Sequence, residues 1–295
     1  METAAPKPAN PFDANTNHAL RGDYDAARDD YTIDQPYDRY TPEDHARWRF
    51  LYQRQEALLP GYADEAFLRG LNALNAREAI PRLDDANEIL GKATGWSLIA
   101  VPGLIPDDVF FDHLANRRFP VSWWMRKPEE IDYLVEPDIF HDFFGHVPLL
   151  SNPVFADYMR QYGEAGPKAI AHGGQKMLAR LYWYIVEFGL IKTEDGLRAF
   201  GAGMLSSKDE TIYSVESPIP HRVAFDLERI LQTDYMVDDF QKTYFVIESF
   251  EHLFRETARD FTGLYQALSK KPGIDPAMLL AGDDVINRGA VKPGS

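Results

Sequence analysis

The chain has 295 residues, of which 45% are hydrophobic and 13% aromatic, enough for one large folded domain or two small ones. Its formal net charge of −15 makes phosphate backbones and anionic lipid poor partners, so we expect no nucleic acid and no membrane partner. Cysteine is absent, which excludes disulfides and thiolate metal sites. The first residues lack the basic start and apolar stretch of a secretory signal, which favours a cytoplasmic protein.

The pattern along the chain predicts a single, mainly α-helical domain with a few short β-strands. Residues 1–40 are poor in Leu, Ile and Val and predict a flexible leader, residues 41–270 the folded domain, and residues 271–295 a tail. Thr41 and Asn152, each followed by proline, are typical helix starts. Helices are predicted over about 41–59, 63–75, 84–94, 107–117, most of 136–191, 223–232 and 246–269, and strands at 96–101, 119–124 and 197–200.

Two of the eight histidines, His141 and His146, lie five residues apart in an apolar and aromatic stretch. On an ideal α-helix this spacing leaves two side chains about 140° apart. Pro148 disfavours helical geometry at the residue before it, so we expect a loosened last turn from which the His146 ring turns toward His141. The alternative is two independent histidines, one buried and one exposed.

Glu187 is the only charged residue in the apolar segment 181–190. Burying a bare carboxylate costs several kcal/mol, so this side chain is turned to solvent, paired with Arg180 or Lys192, or bound to a metal. With the two histidines it would complete the 2-His-1-carboxylate ligand set of non-haem Fe(II) oxygenases. A zinc hydrolase with the same ligands is the chemical alternative, although the HExxH spacing is missing.

Three motifs carry a family resemblance: His141-Asp-Phe-Phe-Gly-His146-Val-Pro, Glu187 within Tyr-Trp-Tyr-Ile-Val-Glu-Phe-Gly-Leu, and Gly201-Ala-Gly-Met-Leu-Ser-Ser207. Over about residues 96–256 the chain resembles the pterin-dependent aromatic amino acid hydroxylases, above all the short bacterial members. The resemblance implies that Fe(II), a tetrahydropterin (tetrahydrobiopterin or a related one) and O2 convert L-phenylalanine to L-tyrosine, as in phenylalanine catabolism. Tyrosine or tryptophan as the substrate is the alternative within the family.

The resemblance also implies roles for particular residues of the folded domain. The iron ligands are expected to be His141, His146 and Glu187. The pterin-binding residues are expected to be Gly103, Leu104, Ile105, Asp107, Phe110, Asp142, Ala179 and Tyr182. The substrate-binding residues are expected to be Arg126, Pro137, Asp138, Trp183, Phe188, Gly203 and Ser206, with the guanidinium holding the α-carboxylate of the substrate. Tyr182 and Glu210 are further candidates for a part in catalysis.

Two more expectations concern the whole chain. No long regulatory domain precedes these motifs and no sustained heptad follows them, which suits the short bacterial form and favours a monomer. A non-catalytic ligand-binding protein with the same fold stays open as another class of function. Such a protein would need no metal, and ligand binding would survive the change His141→Ala.

Overall fold

Helices make up most of the regular structure. The computed structural model describes residues 21–237 and 239–287, and among these no helix is long and apolar enough to cross a membrane. The α-helices are α1 (Pro42–Leu58), α2 (Glu65–Leu74), α3 (Leu83–Ala93), α4 (Asp107–Ala115), α5 (Pro153–Ala171), α6 (Gln175–Leu181), α7 (Ala202–Leu205), α8 (Lys208–Glu216), α9 (Leu227–Gln232), α10 (Phe250–Thr257) and α11 (Thr262–Leu268). Two segments are π-helices, π1 (Phe140–His146) and π2 (Tyr182–Glu187). The strands are β1 (Ser97–Val101), β2 (Arg118–Ser122), β3 (Leu190–Thr193), β4 (Gly196–Ala199), β5 (His221–Ala224), β6 (Thr243–Ile247) and β7 (Val285–Asn287).

The helix starts follow from local hydrogen bonding. At α1 the Thr41 side chain accepts the Asp44 N–H while the Asp44 carboxylate accepts the Thr41 N–H, a capping box with proline at the first helical position. At α5 the Asn152 side chain accepts the N–H groups of Val154 and Phe155. Both predicted helix starts are therefore confirmed.

The strands form two separate sheets. β1 and β2 are parallel and are joined through α4. The other sheet has the order β4-β3-β6-β5-β7, in which β3 and β5 both run parallel to β6. The three predicted strands correspond to β1, β2 and β4, and the expected fold class, mainly helical with short strands, is confirmed.

Part of the predicted helical structure is wrong. The predicted helix 223–232 begins with strand β5 and becomes α9 only at Leu227. The predicted helix 246–269 starts inside strand β6 and is divided into α10 and α11. All five residues of β6 are buried, so the strand has no alternation to distinguish it from a buried helix. Strands β3 and β7 and helix α8 were not predicted.

Both ends of the described chain pack on the domain. Of the predicted flexible leader, residues 1–20 lie outside the described residues, while Tyr31 is buried and the Ile33 N–H donates to the Ala100 carbonyl at 2.9 Å. Of the predicted tail, residues 288–295 lie outside the described residues, and β7 pairs antiparallel with β5. Residues 21–40 are thus more closely packed than a flexible leader implies, and the domain boundaries stay predictions.

An aromatic cluster supports π1 from behind. The Trp48 and Phe140 rings lie edge to face with centroids 5.4 Å apart, and the Tyr52 and Phe144 rings do so at 5.1 Å. Phe140 and Phe144 stack on each other at 4.8 Å. Such pairs contribute beyond their buried area, so α1 fixes the position of the segment that carries the two histidines.

Candidate active site

The two π-helices bring the sequence-predicted metal ligands together. In a π-helix an N–H group bonds to the carbonyl five residues earlier, so residues five apart lie above one another. The Phe188 N–H, for example, donates to the Trp183 carbonyl at 3.0 Å. His141 and His146 have this spacing within π1, and their Nε2 atoms lie 3.3 Å apart. The histidines therefore meet because the whole turn is widened; the expected α-helix with a loosened end was wrong.

The Glu187 carboxylate, at the end of π2, faces both imidazoles. Its Oε2 lies 3.5 Å from His141 Nε2 and its Oε1 lies 3.1 Å from His146 Nε2. Metal bonds of about 2.1 Å at right angles place neighbouring ligand atoms about 3 Å apart, so these atoms fit one face of an octahedral ion. Arg180, an alternative partner of Glu187, pairs with Asp234.

The electrostatics of this cluster favour a bound cation. Burial raises the pKa of Glu187, but the two imidazoles lower it more, and the pKa lies below its usual range. Burial lowers the pKa of His141, but the Glu187 carboxylate raises it more, so the net direction is upward. Glu187 is therefore ionised, which is the form of a carboxylate that binds a metal ion.

A second carboxylate, that of Asp142, lies close to the histidines. His141, Asp142 and His146 each offer a ligand atom within 4.8 Å of the others. One oxygen of Asp142, however, accepts the Ser122 N–H at 2.7 Å, and burial raises the pKa of this carboxyl. Since both oxygens of Glu187 face imidazole nitrogens, Glu187 is the better third ligand.

Ser206 fixes the orientation of the His141 ring. Its hydroxyl donates to the Ala202 carbonyl at 2.8 Å and lies 2.9 Å from His141 Nδ1. A hydroxyl has a single proton, so Ser206 accepts a hydrogen bond from Nδ1–H and leaves the Nε2 lone pair for the ligand cluster. Ser206 was expected in the substrate pocket; the structure places its hydroxyl behind a candidate metal ligand, a contact that the sequence did not predict.

Arg126 and Asp138 form a buried, bidentate ion pair beside the cluster of His141, His146 and Glu187. Nε and Nη2 of Arg126 each donate to one oxygen of Asp138 at 2.9 Å, and Nη1 donates to the Ile131 carbonyl at 3.3 Å. Asp138 also accepts the His141 N–H at 2.9 Å, which ties the pair to π1. Burial raises the pKa of Asp138, but Arg126 lowers it more. One N–H on each Nη atom has no partner among the described residues and is free for a second carboxylate.

Aromatic rings lie next to Glu187 on the other side. The ring centroids of Trp183 and Phe188 are 4.9 Å apart. At Gly203 an added Cβ would lie 2.8 Å from Phe188 Cζ and 3.1 Å from the Glu187 carbonyl oxygen, so only glycine fits there without a shift. The structure thus brings three of the predicted substrate-pocket residues together, while Pro137 directly precedes the buried Asp138.

The predicted pterin residues lie on the loop between β1 and α4, in α4 itself, and on π1, α6 and π2. The N–H groups of Gly103, Leu104 and Ile105 donate to none of the described residues, although Gly103 and Ile105 are buried. Backbone donors in that state are available to a ligand or to water. The donors on this loop therefore fit the polar edge of a pterin ring.

Two aromatic rings join this loop to the metal ligands. The ring of Phe110 lies 5.6 Å from that of Tyr182, and Tyr182 lies 6.1 Å from the His146 ring. Asp107 is the first residue of α4, and burial raises its pKa. Ala179 lies in α6, three residues before Tyr182. Phe110 and Tyr182 are thus in contact, as expected of residues that share one ligand.

Glu210, a further candidate from the sequence, lies behind the aromatic rings. One of its oxygens accepts the Tyr244 hydroxyl at 2.7 Å and the Gln241 N–H at 3.2 Å, and burial raises its pKa to about 7. The Gln241 side chain accepts the indole N–H of Trp183 at 2.9 Å. The sequence did not identify Gln241, because one polar residue between two irregular segments carries no motif.

Comparison with known proteins agrees with this geometry. A family model described as biopterin-dependent aromatic amino acid hydroxylase matches residues 16–270. The phenylalanine-4-hydroxylase of Ralstonia nicotianae is 60% identical over 89% of this chain and 84% of its own length. That of Chromobacterium violaceum is 58% identical over 88% of each chain. The chain belongs to the biopterin-dependent aromatic amino acid hydroxylase family.

Solved structures share the fold as well. The iron- and phenylalanine-bound phenylalanine hydroxylase of Chromobacterium violaceum has a TM-score of 0.85 with 56% identity, covering 90% of this chain and 96% of its own. The cobalt-bound structure of the same enzyme has a TM-score of 0.86 with 57% identity, covering 87% and 93%. The similarity therefore extends over almost the whole described chain.

Proposed function

We propose that this chain hydroxylates L-phenylalanine to L-tyrosine with Fe(II), a tetrahydropterin and O2. The observation that carries the proposal is that three metal-binding groups meet next to an arginine. This arginine is paired with Asp138 and still has two N–H groups without a partner among the described residues. His141, His146 and Glu187 offer the 2-His-1-carboxylate set, and Arg126 offers two N–H groups for a carboxylate. The relatives named phenylalanine-4-hydroxylase share 60% and 58% of the aligned residues. The enzyme is a phenylalanine 4-hydroxylase, and the zinc hydrolase and the non-catalytic binding protein lose their support.

Three side chains would bind the iron, and a neighbouring hydroxyl orients one of them. His141, His146 and Glu187 would hold iron on one face and leave the opposite face open. Iron bound there, together with a reduced pterin, supplies the redox chemistry that activates O2. The contact of Ser206 with Nδ1 leaves the Nε2 lone pair of His141 on the side of the ligand cluster, where it would bind the iron.

The substrate is held at its two ends. The outer N–H groups of Arg126 would bind the α-carboxylate of phenylalanine, while Asp138 holds the guanidinium in place. Trp183 and Phe188, with Gly203 beside Phe188, would direct the ring so that its 4-position faces the open side of the ligand cluster. Pro137 is assigned to the same pocket by the family resemblance alone. Fixing both ends of the substrate lowers the entropic part of the barrier.

The pterin would lie on the loop before α4. The N–H groups of Gly103, Leu104 and Ile105 would bind its polar edge, and the rings of Phe110 and Tyr182 would contact its faces. The remaining positions assigned to this ligand are Asp107, Asp142 and Ala179. Burial keeps the Tyr182 hydroxyl protonated by raising its pKa well above the usual value, so near neutral pH it acts as a hydrogen-bond donor.

An anaerobic reconstitution tests the proposal. The protein is loaded with Fe(II), mixed with tetrahydropterin and O2, and given phenylalanine, tyrosine or tryptophan in separate samples. Products are separated by chromatography. We expect tyrosine from phenylalanine only when both iron and pterin are present, and no tyrosine from His141→Ala or Glu187→Ala.

Matched exposed positions serve as controls for the two variants. His172→Ala and Glu194→Ala change the same residue types on the surface and should keep wild-type activity. If the wild-type protein makes no hydroxylated product while it binds zinc tightly, the proposed function is wrong. The monomeric state and the cytoplasmic location stay predictions; sedimentation equilibrium checks the first.

A further inference from the structure

Gln241 is a buried glutamine whose side-chain amide is fully used. It lies two residues before β6 and is only 3% exposed. Its Oε1 accepts the indole N–H of Trp183 at 2.9 Å, and its Nε2 donates to the carbonyls of Met236 at 3.0 Å and Asp239 at 3.4 Å. Its backbone N–H donates to the carboxylate of Glu210. An amide with this many partners has a single orientation.

The chemistry of the partners fixes which end of the amide faces the indole. The indole N–H of Trp183 only donates, so it needs the oxygen of Gln241. The two backbone carbonyls only accept, so they need its nitrogen. No other uncharged side chain of similar length and flexibility presents an acceptor and two donors in this arrangement. Gln241 therefore holds the Trp183 ring in one plane.

Trp183 is in direct contact with the segment that carries Glu187. Its carbonyl accepts the N–H of Phe188, and the two rings lie 4.9 Å apart. Phe188 directly follows the candidate ligand Glu187. On its other side the Trp183 ring stacks on Tyr235 with centroids 4.4 Å apart and an interplanar angle of 16°. A tilt of the indole would therefore disturb the ring beside Glu187.

The other tryptophans show that an indole partner is not a general requirement of this fold. Trp96, Trp123 and Trp124 bury their Nε1 atoms without a partner among the described residues. Trp48 donates to the backbone carbonyl of Ala76. Among the described tryptophans, Trp183 alone donates to a side chain. This difference indicates that the orientation of Trp183, rather than its burial, is what the hydrogen bond secures.

We propose that Gln241 is a positioning residue for substrate: through the Trp183 indole it sets the aromatic wall against which the ring of phenylalanine lies. This inference rests on the proposed function, which places Trp183 in the substrate pocket. Gln241 touches neither the metal ligands nor the Arg126–Asp138 pair in any described contact. Its loss should therefore weaken substrate placement and leave iron binding unchanged.

The test compares Gln241→Met, which removes the acceptor for the indole and the donors to the two carbonyls, with Gln241→Glu, which removes the same donors but keeps an acceptor for the indole. For Gln241→Met we expect a rise of about tenfold in the KM for phenylalanine, the effect of one lost hydrogen bond, and less tyrosine formed per pterin oxidised. Gln241→Glu should recover part of the loss. The exposed variant Gln266→Met should behave as wild type.

A double-mutant cycle with Trp183→Phe decides whether Gln241 acts through the indole. In the Trp183→Phe background, the additional change Gln241→Met should leave KM unaltered, since the hydrogen bond is already gone. Calorimetric titration of phenylalanine into the anaerobic Fe(II) protein gives the same comparison without turnover. Full additivity of the two changes would overturn the inference.

The outcomes separate this inference from the proposed function. If Gln241→Met lowers only the melting temperature and keeps the wild-type KM, coupling and iron content, Gln241 is merely structural and the inference fails while the proposed function stands. If Gln241→Met does not fold, Gln241→Asn, whose shorter side chain cannot reach both the indole and the carbonyls, replaces it in the double-mutant cycle with Trp183→Phe, and full additivity there overturns the inference. If the wild-type protein forms no tyrosine, both fail.

Discussion

The hydroxyl of Ser206 is the smallest group on which the metal site depends. It accepts from His141 Nδ1 and donates to the Ala202 carbonyl, so it selects the tautomer whose Nε2 is a free lone pair. Partners of this kind change metal affinity by about 10–100-fold when removed. The change Ser206→Ala should therefore weaken Fe(II) binding by at least about tenfold.

Competition with a chelator of known affinity measures that loss. The exposed Ser269, whose hydroxyl bonds only to the carbonyl of Gln266 among the described residues, is the matched control as Ser269→Ala. Equal iron affinity in wild type and Ser206→Ala would show that the aromatic packing around π1 orients His141 without the hydroxyl.

The buried carboxyl of Glu210 makes stability depend on pH. Burial raises its pKa from 4.5 to about 7, and Asp239 adds to the cost of ionisation. The folded state thus binds this proton more tightly than the unfolded state, so the stabilisation is complete below about pH 4.5 and is lost as the pH rises through 7. Burial also raises the pKa values of Tyr213 and Tyr244, the two tyrosines that face Glu210, so both stay neutral in this range.

Denaturant unfolding between pH 5 and 8 checks this expectation. Glu210→Gln keeps an acceptor for Tyr244 and cannot ionise, so the free energy of unfolding of wild type should fall relative to it by roughly 2–3 kcal/mol as the pH rises from 5 to 8. Glu194→Gln at an exposed turn should follow wild type at every pH. Parallel curves for wild type and Glu210→Gln would contradict the raised pKa.

At the scale of elements, the close approach of α7 to π2 depends on one missing side chain. A Cβ at Gly203 would meet the Phe188 ring at 2.8 Å and the Glu187 carbonyl at 3.1 Å. Overpacking of this kind costs about 1–3 kcal/mol and is relieved by moving the softer neighbour, the aromatic ring. Gly203→Ala should therefore displace the Phe188 ring and raise the KM for phenylalanine. Its effect on the free energy of unfolding should be the smaller of the two when both are expressed in kcal/mol.

A glycine in open space provides the comparison. Gly91 in α3 has nothing within 4 Å of an added Cβ, so Gly91→Ala should leave KM unchanged and stabilise the helix by up to about 1 kcal/mol. Steady-state kinetics and thermal unfolding of the two variants give both quantities. An unchanged KM in Gly203→Ala would show that the pocket accommodates a methyl group there.

Local sequence patterns predicted the helices well where capping residues mark their starts. They failed for elements that are buried on all sides, because such elements show no alternation of apolar and polar residues. The start of α1 at Thr41 and of α5 at Asn152 follow from side-chain hydrogen bonds that a sequence displays. Strand β6 does not, because its five buried residues resemble a helix interior. The π-helices were likewise unpredicted, since five-residue spacing conflicts with the α-helix that the composition suggests.

The whole molecule explains which part of the site the sequence could predict. Spacing and ligand chemistry suggested His141, His146 and Glu187 together, and the structure brings them within 3.5 Å of one another. The contacts of Ser206 and Gln241 depend on elements far apart in the chain, so no local pattern contains them. Residues that bind a cofactor leave a chemical signature in sequence, whereas residues that hold them in place are visible only in the fold.

A buried ion pair ties the end of the described chain to the domain. Asp283 pairs with Arg229 of α9 at 3.0 Å, and both side chains are only 4% exposed. The guanidinium also donates to Thr233 and to the Met278 carbonyl. Asp283→Asn would leave a buried charge without its counter-ion, which costs about 3–5 kcal/mol.

Urea unfolding of three variants distinguishes two contributions to the free energy of unfolding. One is the cost of leaving the Arg229 charge unpaired, and the other is the net stabilisation by the ion pair. Asp34→Asn, in the exposed pair with Arg28, should unfold as wild type does. The double change Arg229→Met with Asp283→Asn should recover most of the stability lost in Asp283→Asn, because it removes the charge that lacks a partner. If the double variant is as unstable as the single one, the pair itself contributes the stability. The tail would then be held by this ion pair, and not by strand β7 and the backbone contacts around it.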